Sequence, residues 1–89
     1  MTNSLWIYFN GDYSSNRDKI ENFVQKYFPK VETEGSGCGF GSNDISFKDL
    51  DKKLALSIIN KIRKSKRLMK IITSFDIFDH NRKEFIYEK

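Results

Sequence analysis

Apolar residues in this chain switch between two periods in a set order, and that order restricts the fold more than any other feature. "SLWIYFNG" (4–11) is rich in β-branched and aromatic residues and ends in Asn-Gly, which reads as a strand. Leu5, Ile7 and Phe9 share one of its faces, and Trp6 and Tyr8 share the other. Next, Ile20, Phe23, Val24, Tyr27 and Phe28 recur at helical spacing, with Ser15 as the expected N-cap, Asp18 three residues on, and Pro29 as the stop. "VETEGSGCGFG" and "NDISFKD" then read as two strands joined by a tight turn near Gly41-Ser42-Asn43. A second helix, capped by Asp49 or Asp51 and running to about Ser65, carries the stripe Leu54, Ala55, Ile58, Ile59 and Ile62. "KSKR" is its exit, "MKIITSFDIFD" is a strand, and "HN" turns into a last short strand, "KEFIYE".

The order is β-α-β-β-α-β with a terminal hairpin strand. It predicts one α+β domain, residues 1–89, of the ferredoxin-like split βαβ layout. Both helices are expected on one face of an antiparallel sheet, leaving the other face open. At 89 residues the core is thin, and thirteen aromatic residues help to fill it.

Four of the five glycines alternate within "TEGSGCGFGSNDISF": Gly35, Gly37, Gly39 and Gly41. A phosphate-binding loop needs its glycines between a strand and a helix, so that the helix N-terminus meets the phosphate. Here the strand pattern "DISF" follows, and there is no Gly-Lys-Ser/Thr. A linker is disfavoured because Phe40 and Ile45 to Phe47 demand burial. The remaining reading is a strand with one bare face, with Ser36, Cys38 and Phe40 on the other. Such a face weakens a strand and is tolerated where something must come close. That something is either a helix aromatic such as Phe23 or Tyr27, or a partner.

Charge is uneven. Residues 1–47 carry four basic and six acidic groups, residues 48–70 nine and two, and residues 71–89 three and four, for a net +4. The positive field therefore belongs to "KDLDKKLALSIINKIRKSKRLMK", and it can steer an anionic partner or simply solvate a helix face. The N-terminus has no basic start followed by an apolar run, and no segment approaches a membrane span. One cysteine allows no internal disulfide and no zinc cluster, which fits a reducing, cytoplasmic setting.

Catalytic groups are sparse. His80 is the one histidine, in a predicted turn, and is expected to be solvated. Cys38 lacks a following helix N-terminus and a second histidine to activate it, and is expected to be a small buried cysteine. Glu32, Glu34, Asp76 and Asp79 read as surface carboxylates. No nucleophile, base and oxyanion site assemble, so the chain reads as a non-enzyme without cofactor or metal.

Two resemblances follow from these residues. "GFGSNDISF" resembles the strand-3 signature of the RNA-recognition motif, with Ser42-Asn43-Asp44 standing where that family has one aromatic, and Cys38 where it has a basic residue. That likeness implies base stacking on Trp6 and Tyr8 of an open sheet. Size, lysine- and asparagine-rich composition and an "x-S-G-x-G-F-G-x-x-D-I-x-F" hairpin resemble small cytosolic immunity proteins of bacterial toxin–immunity pairs, including those of contact-dependent inhibition. This second likeness implies a tight inhibitory interface with a cognate toxin domain.

The resulting expectation is a binding protein, an inhibitor or immunity factor that meets an acidic patch on a cognate toxin or enzyme. The alternative is a small RNA-binding module using the open sheet and the basic 61–70 segment. Candidate contact residues are Lys61, Lys64, Lys66, Arg67 and Lys70, with Trp6, Tyr8 and Phe40. In a ferredoxin-like layout the helix lysines point away from Trp6 and Tyr8. No membrane partner is implied, and a homo-oligomer through an edge strand stays open.

Overall fold

The computed structural model describes residues 3–39 and 42–88. Phe40 and Gly41, and with them the expected contact at Phe40, lie outside the described residues. The elements are β1 (Asn3–Phe9), α1 (Tyr13–Tyr27), β2 (Glu32–Gly39), β3 (Ser42–Leu50), α2 (Lys52–Arg63), α3 (Lys66–Met69), β4 (Ile72–Asp79) and β5 (Glu84–Glu88). The five strands form one antiparallel sheet in the order β2-β3-β1-β4-β5. The protein is thus α+β, as the pattern predicts. It differs from a four-stranded, two-helix layout by the added edge strand β5 and the short helix α3.

Alternation along β1 sorts the sheet into two faces. Leu5 pairs with Phe47 and Ile77, and Ile7 with Ile45 and Phe75. All of these are buried in one cluster with Ile20 and Val24 of α1 and Ala55, Ile58, Ile59 and Ile62 of α2. The amphipathic stripes of α1 and α2 therefore cover the same face, and the hydrophobic effect holds them there. Each fully buried Ile or Phe of this cluster contributes about 1.5–3 kcal/mol over an exposed one. No helix among the described residues is long and apolar enough to cross a membrane.

Local chemistry sets the element ends, and three of them differ from the sequence expectation. Helix α1 starts at Tyr13, not beyond Ser15, because Asp12 is its cap: the Asp12 carboxylate accepts from the Ser15 N–H at 2.9 Å. A charged acceptor at the positive end of the helix outcompetes the serine hydroxyl that follows it. Gly11 makes this entry possible. Its φ is +90°, and a Cβ there would sit 2.6 Å from Asn16 Nδ2, while Asn16 itself donates to the Asn10 carbonyl at 2.8 Å. The second difference is α3. Ser65 caps it through Leu68 N–H, and Leu68 is buried, so a helical turn replaces a plain exit and β4 begins only at Ile72. The third is the β2–β3 connection: Ser42 and Asn43 already pair with Gly39 and Cys38, so neither belongs to the turn. Asn43 is also tied down by donating to the Gly11 carbonyl at 3.1 Å.

Other boundaries follow the expectation. Helix α1 ends at Tyr27, and Phe28 leaves helical geometry ahead of Pro29 (φ −136°, ψ 69°). Asp51 caps α2, accepting from Leu54 N–H at 2.7 Å. The β4–β5 turn contains His80 and Asn81 and is organised by Asp79, which accepts from the Asn81 and Arg82 N–H groups.

Candidate binding surfaces

The helix-covered side is basic. Lys61 and Lys64 lie on or at the end of α2, Lys66 and Arg67 on α3, and Lys70 just after it, all exposed. Among the described residues none of them comes within ion-pair distance of a carboxylate. Lys61 lies over the Tyr27 ring, 4.4 Å from its centroid, and Lys26 approaches the same ring at 5.3 Å. Arg63 fastens α2 to the sheet and its edge strand, sitting over Phe75 at 5.6 Å and donating to the Tyr87 hydroxyl at 3.0 Å.

Between α1 and α3 runs a cleft of about 440 Å³. Lys19, Lys26 and Arg67 line it, with Phe23, Tyr27 and Leu68 as its apolar wall and no carboxylate in its lining. Tyr27 is 43% exposed there, one of the few large apolar side chains so open to solvent among the described residues. Lys19 and Lys26 were not singled out from the sequence. The signal was present, since Lys19, Asn22, Phe23 and Lys26 recur at helical spacing on one side of α1.

The opposite, open face of the sheet has another character. Three rows cross it: Gly35, Ser46, Trp6 and Asp76; Gly37, Asp44, Tyr8 and Ser74; and Ser4, Phe78 and Phe85. Phe78 packs edge-on against Phe85 and His80, at 5.0 and 4.9 Å between centroids, and Phe85 is 45% exposed. The face is thus aromatic and acidic. Trp6 and Tyr8 stand on it, on the far side of the sheet from Lys61, Lys64, Lys66, Arg67 and Lys70. The expected contact residues therefore form two groups and not one surface.

The glycine register decides between the two readings of the bare strand. Gly35 opposes Ser46 and Gly37 opposes Asp44, which puts both glycines on the open face. A Cβ on Gly35 would meet nothing within 4 Å, and one on Gly37 only the Asp44 carboxylate at 3.9 Å. Packing of Phe23 or Tyr27 onto the glycines is thereby overturned. Those rings lie beside α3, and β2 meets α1 through its other face. There Ser36 bonds to the Tyr13 hydroxyl and accepts from Arg17 Nε, and Thr33 donates to Glu21. Burial works against the Arg17 charge, but Glu21, Asp18 and Tyr13 outweigh it and hold the guanidinium above its ordinary value.

Above the glycines lies a hollow of about 410 Å³ lined by Trp6, Glu34, Gly35, Gly37, Asp44 and Ser46, among others. Burial pushes the Asp44 carboxyl above its ordinary range, and no ion pair or hydrogen bond relieves it among the described residues. Asp44 escaped the sequence reading because its place beside Gly37 depends on strand register, which composition does not encode.

His80 lies exposed in the β4–β5 turn, as expected, but its ring also reaches back to the sheet. Its Nε2 lies 2.7 Å from Ser4 Oγ, and Ser4 donates to Glu34 at 2.8 Å. With the single hydroxyl proton used toward Glu34, the His80 Nε2–H must donate to Ser4. The serine sits in the middle of this chain, so the histidine cannot relay between a nucleophile and a carboxylate as acyl transfer requires. Ser4 is also 0% exposed. The three side chains act as a clasp, tying β1, β2 and the β4–β5 turn across the open face. Cys38, expected to be buried, is exposed and unpaired, because it lies near the end of the edge strand β2, and no group of three His, Cys, Asp or Glu among the described residues is placed to hold a metal ion. Compared with protein-family models, curated proteins and solved structures, the chain matches none.

Proposed function

We propose that this protein is a non-enzymatic binding protein, an inhibitor or immunity factor that neutralises a cognate toxin or enzyme by docking on an acidic patch of it. The observation that carries the reading is the cleft between α1 and α3. Three cations, Lys19, Lys26 and Arg67, surround an exposed aromatic with no carboxylate among them. Aromatic and arginine residues in a desolvated pocket are the usual energetic anchors of a protein interface, and a one-signed rim steers encounter with the opposite sign. Lys61, Lys64, Lys66 and Lys70 extend that rim. We read the scaffold as a ferredoxin-like layout lengthened by one edge strand, which the neighbour order β2-β3-β1-β4 supports. A cytoplasmic site of action suits the exposed, unpaired Cys38.

The second reading, an RNA-binding module, draws on Trp6 and Tyr8 standing on an open sheet. Glu34, Asp44 and Asp76 on that same face repel a phosphate backbone, which makes it the weaker of the two. One experiment tests both. An acidic peptide carrying a phenylalanine, and total RNA, are each offered to the protein and to a Lys19→Glu, Lys26→Glu, Arg67→Glu variant at low and high salt. The proposal expects peptide binding by titration calorimetry that the variant loses, and no co-elution with RNA on size exclusion. Salt-sensitive RNA co-elution transfers the assignment to the second reading. Peptide binding unchanged in the variant overturns the cleft.

A further inference from the structure

Gly35 and Gly37 are costly residues with no internal reason to be there. Glycine in a strand gives up side-chain packing and loses more backbone freedom on folding than alanine does. Where the fold needs a glycine, the need is visible, as at Gly11, whose φ is +90° and whose missing Cβ leaves room for Asn16. Neither Gly35 nor Gly37 has such a φ, and neither would bring a Cβ closer than 3.9 Å to anything. Their bareness leaves the space above them open.

That space is chemically specific. Its wall is Trp6, half-buried, and its rim holds the carboxylates of Glu34 and Asp44. Asp44 is half-buried, which pushes its carboxyl up, and it has neither a cation nor a donor among the described residues, so its oxygens face the open hollow. Two carboxylates on the rim of a hollow that a tryptophan also lines favour a positive group, which can pair with the acids and lie against the ring. A guanidinium satisfies both, being planar, weakly hydrated and able to donate to two acceptors at once. A phosphate would meet like charge, and a plain apolar group would leave Asp44 unpaired. The whole chain carries +4, so general electrostatics repel a cation, and the carboxylates of this hollow oppose that repulsion locally.

We propose that the hollow over Gly35 and Gly37 is a receptor for an arginine or lysine side chain of a partner protein, with Trp6 as its wall and Glu34 and Asp44 as its counter-ions. The site is separate from the basic cleft. It lies on the other face of the sheet, takes the opposite charge and shares no residue with the cleft. The protein thus presents two surfaces of opposite sign. A partner, or two partners, can be read by both.

Trp6 is the only tryptophan, so its fluorescence reports this hollow directly. The test titrates the full chain with an acetylated, amidated Gly-Arg-Gly-Arg-Gly peptide, with the same peptide carrying citrulline in place of arginine, and with single-stranded oligouridylate. The expected result is a saturable Trp6 change with the arginine peptide, at least tenfold weaker with citrulline, and none with the oligonucleotide. A Glu34→Gln, Asp44→Asn variant should lose at least tenfold in affinity. Its folding, checked by circular dichroism, should be intact, because glutamine still accepts from Ser4 and asparagine removes an unpaired charge. Gly35→Leu, which fills the hollow, should abolish the response. Equal response to citrulline, an affinity unchanged by the double variant, or a Trp6 response to the oligonucleotide overturns the proposal. The Lys19, Lys26 and Arg67 variant should keep the arginine response, which separates failure here from failure of the basic cleft.

Discussion

Replacing Gly35 and Gly37 together by alanine should make this protein more stable. A strand glycine costs roughly 0.5–1 kcal/mol relative to alanine, most of it backbone entropy in the unfolded chain. That gain is realised only if the native site accepts a Cβ. Here it does: open space at Gly35, an ordinary 3.9 Å contact at Gly37, and left-handed backbone at neither. Two such changes sum to about 1–2 kcal/mol, because each Cβ enters separate space. For a domain of this size about 1 kcal/mol moves the thermal midpoint by roughly 4–8 °C, so the pair should raise it by about 4–16 °C. The assay is thermal and urea unfolding followed by far-UV circular dichroism, with Gly11→Ala as the opposite control. At Gly11 the φ of +90° and the 2.6 Å approach to Asn16 predict a loss of about 1–2 kcal/mol or more. A loss of stability above about 0.5 kcal/mol in the double alanine variant would show that the fold itself needs those glycines. The argument that they hold open a binding surface would then fail.

Three further outcomes are expected. Asp51→Ala removes the α2 cap, whose carboxylate sits 2.7 Å from Leu54 N–H; it should cost about 1 kcal/mol by urea denaturation, and Asp51→Asn much less. Ile58→Ala empties a fully buried site in the shared core; a loss of about 2–5 kcal/mol takes a large part of the total stability of a domain this small, and hydrogen exchange should then be fast throughout. Asp44→Asn tests the desolvated carboxylate. Its folded-state value is raised above 3.8, so the native state binds this proton more readily than the unfolded chain does. Stability therefore falls as pH rises through the window from 3.8 to the raised value. The variant should be more stable than wild type near neutral pH and equal to it below that window, as read from urea midpoints at each pH.

Much of the fold was legible because the signals are local. The stripe Ala55, Ile58, Ile59 and Ile62 needs only helical periodicity to be read, and it is the buried face of α2. Leu5, Ile7 and Phe9 needed only alternation. Where two local signals competed, reading failed. Ser15 and Asp12 are both good caps, and the glycine hinge at Gly11 decided for Asp12. "KSKR" carries too little periodicity to announce α3, which exists because Ser65 caps it and Leu68 finds the core. Of the residues on the basic side, Lys61, Lys64, Lys66, Arg67 and Lys70 were visible as a charge run. Lys19 and Lys26 were not, because they join that surface only when α1 packs beside α3.

The chain's own pattern determined an α+β domain, its helix stripes, its strand alternation and a basic middle segment, all of which depend on neighbours within a few residues. Only the tertiary structure decided where the bare glycine face points, that Asp44 stands beside it without a cation, and that Ser4, Glu34 and His80 meet. Those contacts join residues 7 to 76 positions apart. They depend on strand register and neighbour order, and a shift of one residue would turn Gly35, Gly37 and Trp6 to the opposite face.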